Sequence, residues 1–401
     1  MNIKLFPPEL SGTVKAIPSK SLAHRALICA ALADSPTVIA CDGTSRDIEA
    51  TSDCLSQLKE DAPVFRCGES GSTFRFLLPI AGALGLNAAF HLEGRLPERP
   101  LTPLYEELIR HGCQLSAQRS NPFCISGQLT PGVYTLDAGV SSQFISGLLM
   151  ALPLLSGGSE LRLSGKPESA PYINLTMNML EKFGIEIGSH DGYYTVKGSQ
   201  TYHSPGNIQI EGDWSNAAFW LCAGAISENP LTCTGLNLQS NQGDRAILAV
   251  LERFGAKVTC AGDSVTVSAG NLRGTEIDAR DIPDLVPVLS VVAAAATGKT
   301  VIRNAGRLRI KESDRLSAVT DILTELGADI TQKEDGLAIR GGVALKGGTV
   351  SSRNDHRIAM SAAIAAVLCE KPVVIQGAEA VNKSYPGFFD DYKTLGGFIQ
   401  S

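Results

Sequence analysis

The chain has 401 residues and a formal net charge of −6 at pH 7. A chain of this length exceeds one typical domain and can bury a large core without disulfide bonds. The negative net charge argues against a nucleic-acid-binding or polybasic membrane-binding protein. Only 19% of the residues are charged, below the globular average of about 25%, so dense local clusters of charge stand out.

The ten cysteines predict neither a metal site nor a redox pair. Each pair of successive cysteines is more than ten residues apart, and the sequence has no C-x-x-C motif. Free thiols in this number are typical of the reducing cytoplasm. Residues 1–14 lack the apolar core of a signal peptide, and the apolar run 285–296 is too short to span a membrane. We therefore expect a cytoplasmic protein with no membrane association.

Helical segments that end in a glycine recur about every seventy residues along the chain. Glycine terminates helices because the left-handed conformation costs it no Cβ clash. The predicted terminators are Gly112, Gly184, Gly255, Gly327 and, in a looser copy, Gly396.

Two short alternating stretches joined by a tight turn follow these glycines, as in a β-hairpin. The turns are Asp191-Gly192, Gly262-Asp263 and Asp335-Gly336. The repeated unit is therefore strand, helix, strand, helix, hairpin, and the chain has room for six copies, the first degenerate around residues 48–58. Residues 201–213, between the third and fourth copies, are the best candidate for a domain crossing. Three copies on each side predict two similar lobes with a cleft, where ligands commonly bind.

Three polar segments with isolated cations or hydroxyl groups precede apolar helices, at residues 18–25, 68–75 and 140–143. Backbone N–H groups at a helix N-terminus favour anions, and Lys20 and Arg25 would strengthen such a site. A structural alternative remains for each segment: helix capping for the first and third, and a plain strand-to-helix loop for the second.

Further cations lie in predicted loops. Residues 95–100 form an extended loop with two guanidinium groups in this prediction, and residues 354–357 and 382–386 place more cations in loops. Any one of these could be a solvated surface charge. Residues 308–315 combine three cations with two carboxylates ahead of an amphipathic helix, which suits a site that holds anions and moves a proton.

Glu312 and Asp284 are the candidates for acid–base chemistry. Asp284 precedes a strongly apolar helix, so partial burial would make it a useful base, although it could instead be a helix N-cap. His356 is a weaker third candidate. Residues 293–300 end like a phosphate-binding loop but begin with alanine where glycine is required, and no nicotinamide-binding or serine-nucleophile motif is present.

Eight motifs occur in the order found in the 5-enolpyruvylshikimate-3-phosphate synthase (EPSP synthase) family, the 3-phosphoshikimate 1-carboxyvinyltransferases, which the sequence therefore resembles over nearly its whole length. They are P-S-K-S-x-x-x-R-A at 18–26, G-x-S-G-S-x-x-R at 68–75, E-R-P at 98–100, S-S-Q at 141–143, E-G-D at 211–213, L-R-x-K-E-S-D-R at 308–315, N-D-H-R at 354–357 and K-S-Y-P at 383–386. The sixth and seventh motifs are the most specific.

The resemblance implies a mixed α/β (α+β) fold, a two-lobed inside-out α/β barrel of six βαβαββ repeats with three per lobe. Residues 1–18 with 212–401 would form the phosphoenolpyruvate side, and residues 19–211 the shikimate 3-phosphate side. The enolpyruvyl group would pass from phosphoenolpyruvate to the 5-hydroxyl of shikimate 3-phosphate through a tetrahedral intermediate, with release of phosphate. The resemblance implies no metal or organic cofactor, no nucleic-acid or membrane partner, and a monomer.

The resemblance also assigns roles to individual residues. Shikimate 3-phosphate would contact Lys20, Ser21, Arg25, Ser141, Ser142, Gln143, Ser169, Tyr172, Asp284 and Lys311. Phosphoenolpyruvate would contact Lys20, Gly71, Arg99, Gln143, Arg315, Arg357 and Lys383. In catalysis, Asp284 would take the 5-hydroxyl proton with Lys311 beside it, Glu312 would protonate the methylene carbon, and Lys20 would assist. Glu69 stands where many members have asparagine, and we expect its carboxylate to point away from the phosphate or to pair with an arginine.

Two alternatives compete with this interpretation. The UDP-N-acetylglucosamine enolpyruvyl transferases share the fold, but they usually carry a reactive cysteine or aspartate in the loop at 95–100, which here has no cysteine. A non-catalytic anion-binding repeat protein is the second alternative. Asp284 and Glu312 argue against it, because carboxylates placed among the cations would weaken simple anion binding.

Overall fold

The structure, a computed structural model, describes residues 1–137, 139–165 and 168–400. The chain divides into two compact units: Met1–Ser19 with Glu211–Ser401 (unit 1), and Lys20–Ile210 (unit 2). The chain leaves unit 1 after Ser19 and re-enters it at Glu211. These two residues are adjacent, and Ser19 N donates to the Glu211 carbonyl oxygen at 2.8 Å.

The described residues form 12 α-helices and seven short 3₁₀ helices. In chain order they are α1 (Lys20–Leu32), α2 (Arg46–Ser56), α3 (Gly71–Ala83), α4 (Leu104–Arg110), α5 (Ser142–Ala151), α6 (Ala170–Lys182), α7 (Trp214–Ile226), α8 (Ile247–Phe254), α9 (Val286–Ala295), α10 (Arg315–Glu325), α11 (His356–Ala365) and α12 (Phe388–Thr394).

The same residues form 22 short β-strands. They are β1 (Asn2–Leu5), β2 (Gly12–Lys15), β3 (Val38–Ala40), β4 (Val64–Gly68), β5 (Ala88–Leu92), β6 (Cys113–Leu115), β7 (Phe123–Gly127), β8 (Val133–Asp137), β9 (Ser159–Ser164), β10 (Ile187–His190), β11 (Tyr193–Val196), β12 (Asn207–Gln209), β13 (Leu231–Thr234), β14 (Lys257–Ala261), β15 (Ser264–Ser268), β16 (Glu276–Asp278), β17 (Gly298–Arg303), β18 (Asp329–Lys333), β19 (Gly336–Gly341), β20 (Gly348–Ser351), β21 (Val373–Gln376) and β22 (Ile399–Gln400).

These strands form six sheets, three in each unit, and five of the sheets share one pattern. Unit 1 has the orders β14-β15-β13-β2, β16-β17-β19-β18 and β20-β21-β1-β22, and unit 2 has β4-β5-β7-β6, β10-β11-β9-β8 and the pair β12-β3. Each four-stranded sheet has one parallel edge pair and two antiparallel pairs. Parallel pairs need a crossover and antiparallel pairs a hairpin, as in the predicted repeat. The mixed α/β fold of six repeats is therefore confirmed, with the degenerate copy reduced to β3 and β12.

The predicted helix terminators all adopt a left-handed backbone. Their φ angles are 103° at Gly112, 74° at Gly184, 101° at Gly255, 97° at Gly327 and 103° at Gly396. Side-chain-bearing residues rarely adopt this conformation, which explains why glycine recurs there. The seventy-residue spacing thus reflects a repeated backbone requirement.

Each unit has its own core, built around helices that are apolar on every side. In unit 1 these are α7, α9 and α11, and nine of the ten residues of α9 are buried. In unit 2 they are α3 and α5. A helix that is hydrophobic all round is surrounded by protein, so its polar groups are confined to its ends. The N-termini of α3, α5 and α11 carry the predicted site residues Gly71, Ser142, Gln143 and Arg357.

The ten cysteines are all free thiols, eight of them partly or fully buried. Within the described ranges, no helix combines the length and apolar character that crossing a membrane requires. The same ranges contain no group of three or more histidine, cysteine or acidic side chains placed to hold a metal ion.

Gly255→Ala tests the repeated helix terminator. A Cβ there would lie 2.5 Å from the Asn271 carbonyl oxygen, in addition to the strain of φ 101°. We expect the free energy of unfolding, measured in urea, to fall by more than ~2 kcal/mol, because the steric overlap adds to a left-handed penalty of about 1–2 kcal/mol. Gly262→Ala is the control, since its φ is 61° but no atom lies within 4 Å of its Cβ. Equal losses in the two variants would contradict this account.

Candidate functional site

Three cations of unit 1 converge on the carboxylate of Asp284. Arg315 Nη1 donates to Oδ1 at 2.8 Å, and Arg357 Nη2 donates to Oδ2 at 3.1 Å. Lys311 Nζ lies 4.0 Å from Oδ1. Asp284 lies within the 3₁₀ turn Pro283–Leu285, and α9 begins after it without a side-chain cap, so the alternative of an N-cap aspartate is wrong.

Arg315 is the most heavily bonded charge of this cluster, with a side chain only 2% exposed. Its Nε donates to Asp355 Oδ2 at 2.8 Å, and its Nη2 donates to Glu312 Oε2 at 2.9 Å. With Asp284 on Nη1, three carboxylates share one guanidinium, whose rigid fork of donors suits this arrangement. Burial opposes the charge of Arg315, but Asp355, Glu312 and Asp284 outweigh it and raise the pKa above the usual value.

The prediction that Arg357 and Lys383 lie in loops is wrong. Asp355 Oδ1 accepts from Arg357 N at 2.9 Å and caps α11, so the polar N-D-H-R motif starts a helix. Arg357 Nη2 also donates to Ser215 Oγ at 2.6 Å. Lys383 ends the 3₁₀ turn Ala378–Lys383, is 5% exposed, and donates to the Asn354 carbonyl oxygen at 2.5 Å.

The cations reverse the effect that burial was predicted to have on Asp284. Burial by itself would raise its pKa, but the charges of Arg357, Lys311 and Arg315 outweigh burial and hold the pKa well below its ordinary range. Burial also lowers the pKa of Lys311 to about 8, against the opposing pull of Asp284. In this arrangement Asp284 is therefore an ionised and weak base, and Lys311 titrates close to neutral pH.

The two other acid–base candidates lie beside the same cluster. Glu312 contacts Arg315 from three residues away and is 20% exposed, so it can reach solvent or a ligand. His356 is 2% exposed, with its Nδ1 3.9 Å from Asp355 Oδ1. Burial inside α11 favours a structural role for His356.

Asp244, a buried carboxyl group next to this cluster, was not predicted from the sequence. It is 3% exposed and lies in the 3₁₀ turn Gly243–Ala246. Burial, and then the charge of Asp284, raise its pKa to about 7 against the opposing influence of Arg357 and Ser215. One aspartate in a polar segment gives no sequence signal, because only the fold brings it near Arg357.

In unit 2, Lys20 and Arg25 both lie inside α1, which begins six residues earlier than predicted. The segment was predicted to precede the helix because it is polar, but every residue from 20 to 25 is compatible with a helix. Lys20 Nζ pairs with Asp47 Oδ2 at 2.7 Å. Lys20 is thus the first residue of the helix and is already beside a carboxylate.

Arg25 joins α1 to α6 through hydrogen bonds. Its Nε donates to Thr176 Oγ1 at 2.7 Å, and its Nη2 donates to the Tyr172 carbonyl oxygen at 3.0 Å. Its Nη1 donates to the Ser21 carbonyl oxygen at 2.7 Å. Burial lowers its pKa to about 10. Ser169, 3% exposed with φ 55°, occupies the cap position of α6.

Gly71 begins α3 between two guanidinium groups. A Cβ at this position would lie 2.8 Å from Arg99 Nη1 and 2.9 Å from Arg75 Nη1. Arg75 Nη1 donates to Gln143 Oε1 at 2.8 Å, and Gln143 Nε2 donates to Ser72 Oγ at 2.9 Å. Arg75 belongs to the second motif but was not predicted as a site residue. A side chain at residue 71 would displace these cations, which explains the glycine.

The remaining predicted segments are the capped start of a helix and a short 3₁₀ turn. Ser141 Oγ accepts from Gln143 N at 3.3 Å and caps α5, of which Ser142 is the first residue. Residues 95–100 are not extended as predicted, because Leu96–Glu98 forms a 3₁₀ turn. The Glu69 carboxylate lies against Gly94 at the start of this segment.

Comparison with known proteins gives one consistent result. The family model for "EPSP synthase (3-phosphoshikimate 1-carboxyvinyltransferase)" matches residues 6–392. A relative from Clostridium kluyveri named 3-phosphoshikimate 1-carboxyvinyltransferase is 43% identical, over 99% of this chain and 98% of its own length. A relative of the same name from Clostridium perfringens is 42% identical, with the same coverage.

Solved structures share the fold. EPSP synthase from Acinetobacter baumannii aligns with a TM-score of 0.82 at 24% identity and full coverage of both chains. The enolpyruvyl transferase NikO from Streptomyces tendae aligns with a TM-score of 0.78 at 19% identity, covering 100% of this chain and 98% of its own. At these identities the likeness concerns the fold alone.

Asp355→Asn tests the ion pairs at the centre of the unit 1 cluster. Asparagine can still cap α11, but it leaves the buried Arg315 charge with one carboxylate fewer. We expect the free energy of unfolding to fall by ~3 kcal/mol, as for other broken buried pairs. Asp321→Asn is the control, because its pair with Arg353 is about half exposed (51% and 52%) and should contribute less than ~1 kcal/mol. Losses of similar size in urea unfolding would show that the cluster is not a stabilising centre.

Proposed function

Because the chain belongs to the EPSP synthase family, we propose that it transfers the enolpyruvyl group of phosphoenolpyruvate to the 5-hydroxyl of shikimate 3-phosphate and releases inorganic phosphate. The observation that carries the proposal is the cluster around Asp284, in which three cations surround a carboxylate. Cations alone would bind anions, whereas the carboxylates add groups that can move a proton.

The charge of the two substrates matches the cations that the chain supplies. Each substrate carries a carboxylate and a phosphate of about −1.5 to −2, so the pair brings a charge on the order of −6. We assign phosphoenolpyruvate to Lys20, Gly71, Arg99, Gln143, Arg315, Arg357 and Lys383. We assign shikimate 3-phosphate to Lys20, Ser21, Arg25, Ser141, Ser142, Gln143, Ser169, Tyr172, Asp284 and Lys311.

Residues 1–18 with 212–401 are proposed as the phosphoenolpyruvate side, and residues 19–211 as the shikimate 3-phosphate side. The acid–base groups described above all belong to the first of these regions. Lys20 and Gly71 belong to the second.

The reaction is an addition followed by an elimination. Glu312 donates a proton to the methylene carbon of phosphoenolpyruvate, which leaves a cationic carbon that the 5-hydroxyl oxygen attacks. Asp284 accepts the hydroxyl proton, with Lys311 beside it. In the second half Glu312 takes a proton back from the methyl group of the tetrahedral adduct, the carbon–oxygen bond to the phosphate breaks, and Asp284 returns its proton to the leaving phosphate, which restores the enol double bond. Glu312 therefore handles the proton on carbon, and Asp284 handles the hydroxyl proton, in both halves of the reaction.

Anion binding would also raise the low basicity of Asp284. Its pKa is held down by Arg357, Lys311 and Arg315, against the effect of burial. A phosphate or carboxylate bound to these cations offsets their charge, so the pKa of Asp284 rises toward a value at which it can accept a proton. Binding of the substrate would in this way produce the base that the reaction needs.

We further propose that the chain acts as a monomer in the cytoplasm. Ten free thiols suit a reducing compartment. Sedimentation at a mass near 42.3 kDa would support the monomer.

The nearest rival is an enolpyruvyl transferase that uses a UDP-sugar. NikO shows that the fold is shared by another enolpyruvyl transferase, so the fold does not fix the acceptor. The loop at 95–100 contains no cysteine, and both relatives described above carry the shikimate name.

Phosphate release is the direct test of the activity. Shikimate 3-phosphate with phosphoenolpyruvate should release inorganic phosphate, whereas UDP-N-acetylglucosamine with phosphoenolpyruvate should not. Asp284→Asn should lower turnover by more than ~100-fold, since proton transfer is lost. Asp281→Asn, an exposed neighbour, is its control and should keep normal turnover. The absence of phosphate release with the shikimate ester would end the assignment.

Lys311→Met should abolish measurable turnover while the far-ultraviolet circular dichroism stays unchanged, and the exposed Lys299→Met should have little effect. With a pKa of about 8, the wild-type Lys311 charge is present below that pH and is lost above it, so turnover should fall as the pH rises through about 8. Lys311→Arg, which stays charged, should shift this fall to higher pH. Near-normal turnover of the methionine variant would show that Lys311 is misassigned.

A further inference from the structure

Four buried polar side chains in unit 2 form a chain of hydrogen bonds that the proposed reaction does not use. His24, Thr51, Thr73 and Ser70 are each no more than 1% exposed. They belong in turn to α1, to α2, to α3 and to the residue that caps α3. The chain therefore connects three helices, and the first of these helices begins at Lys20.

The distances and donors in this chain fix its direction. Thr73 Oγ1 donates to Ser70 Oγ at 2.7 Å, which uses its single hydroxyl hydrogen. Thr51 Oγ1 must therefore donate to Thr73 Oγ1 at 2.6 Å, and the Asp47 carbonyl oxygen, at 3.3 Å, is the more distant acceptor of the same hydrogen. His24 Nδ1, at 2.7 Å from Thr51 Oγ1, is then the donor to that oxygen. The Thr51 hydroxyl thus links α1 to α3.

The position of α2 depends on Thr51 because this helix buries few of its side chains. Two of its eleven residues are buried, Thr51 and Cys54. A helix with so narrow a buried face is stabilised by few tertiary contacts. The hydrogen bonds of the Thr51 hydroxyl to the helices on either side are therefore a main constraint on where α2 lies.

Lys20 and Asp47 form the neighbouring contact between α1 and α2. Lys20 lies four residues before His24, and Asp47 lies four residues before Thr51, so each pair shares one face of its helix about one turn apart. The Lys20 ammonium pairs with Asp47 Oδ2 at 2.7 Å, with side chains that are 17% and 15% exposed. Asp47 thus reaches Lys20 from a helix that Thr51 anchors one turn away.

We propose that Thr51 is a positioning residue, which fixes α2 so that the Asp47 carboxylate holds the Lys20 ammonium where the anionic substrates bind. This inference rests on the proposed function, because it takes Lys20 to be a substrate contact. Thr51 does not touch the substrate in this scheme. A valine of the same shape would leave the buried His24 N–H without its acceptor, and α2 would move to relieve that cost.

The first test measures Lys20 without using the reaction. Acetylation by acetic anhydride, followed by mass spectrometry of peptides, reports how accessible each lysine nitrogen is. In the wild type, Lys20 should react slowly compared with the exposed Lys299. Thr51→Val should speed the acetylation of Lys20 by roughly three- to tenfold, the factor for losing one hydrogen bond. Thr51→Ser keeps the hydroxyl and should restore the wild-type rate, which a purely structural role of the side chain would not require.

The second test asks whether Thr51 acts through Asp47. Thr51→Val and Asp47→Ala should each raise KM for phosphoenolpyruvate by roughly three- to tenfold. Because both changes act on the same contact, the double variant should show about the factor of one single variant, and not the product of the two. Thr266→Val is the control. It removes a hydroxyl from the pair of Thr232 and Thr266, 2.8 Å apart in unit 1, and should leave KM and the labelling of Lys20 unchanged.

The outcomes separate this inference from the proposed function. A wild-type KM or wild-type labelling of Lys20 in Thr51→Val, or factors that multiply in the double variant, would overturn the inference and leave the activity standing. If Thr51→Val does not fold, Thr51→Ala also removes the hydroxyl, and an unchanged rate of Lys20 acetylation in that variant would overturn the inference. No phosphate release by the wild-type protein would instead refute the proposed function, and the labelling would still test the placement of Lys20.

Discussion

The buried guanidinium of Arg315, shared by three carboxylates, is the interaction on which the unit 1 site depends. Asp284, Glu312 and Asp355 belong to three separate segments of the chain, and Arg315 fixes their positions relative to one another. A buried charge is costly unless ion pairs and hydrogen bonds compensate for it, so removing any partner leaves a charge that the core cannot accommodate. The side chain therefore enforces the geometry of every group around it.

The repeat explains why such groups collect at the same kind of position. A central helix that is apolar on all sides can carry polar side chains only at its ends, as α9 and α11 do. Because the unit is repeated, each central helix has the same restriction, and each repeat therefore has one helix N-terminus where a polar or cationic residue is tolerated. Gly71 and Ser142 occupy the equivalent ends in unit 2. The N-terminal N–H groups add a favourable field for anions at each of these positions.

Local patterns predicted the features that depend on local physics. The helix-ending glycines follow from a backbone conformation, and the hairpins follow from turn residues, so both could be inferred from short stretches. The limits of helices at polar motifs could not, because capping by Asp355 converts an apparent loop into the first turn of α11. A sequence of polar residues is compatible with either structure, and the choice is made by packing.

The basicity of Asp284 needed the fold for a different reason. Its arginine partners are 31 and 73 residues away in the chain, and their charges outweigh the burial that the sequence suggested. Asp244 was not predicted for the same reason, because its charged neighbours are distant from it in the chain. Charge–charge effects depend on distance in space, and a motif read along the chain contains none of that information.

Carboxylates among clustered cations stabilise the fold as well as providing groups for proton transfer. Lys311, Arg315 and Arg357 without Asp284, Glu312 and Asp355 would be a cluster of buried like charges, which would destabilise unit 1. The carboxylates balance this charge in the absence of substrate. In the proposed reaction the anionic substrates would supply the same balance, and the carboxylates would no longer have to remain ionised. Groups that stabilise the folded protein would then accept protons when the substrates bind, so stability and catalysis would rest on the same ion pairs.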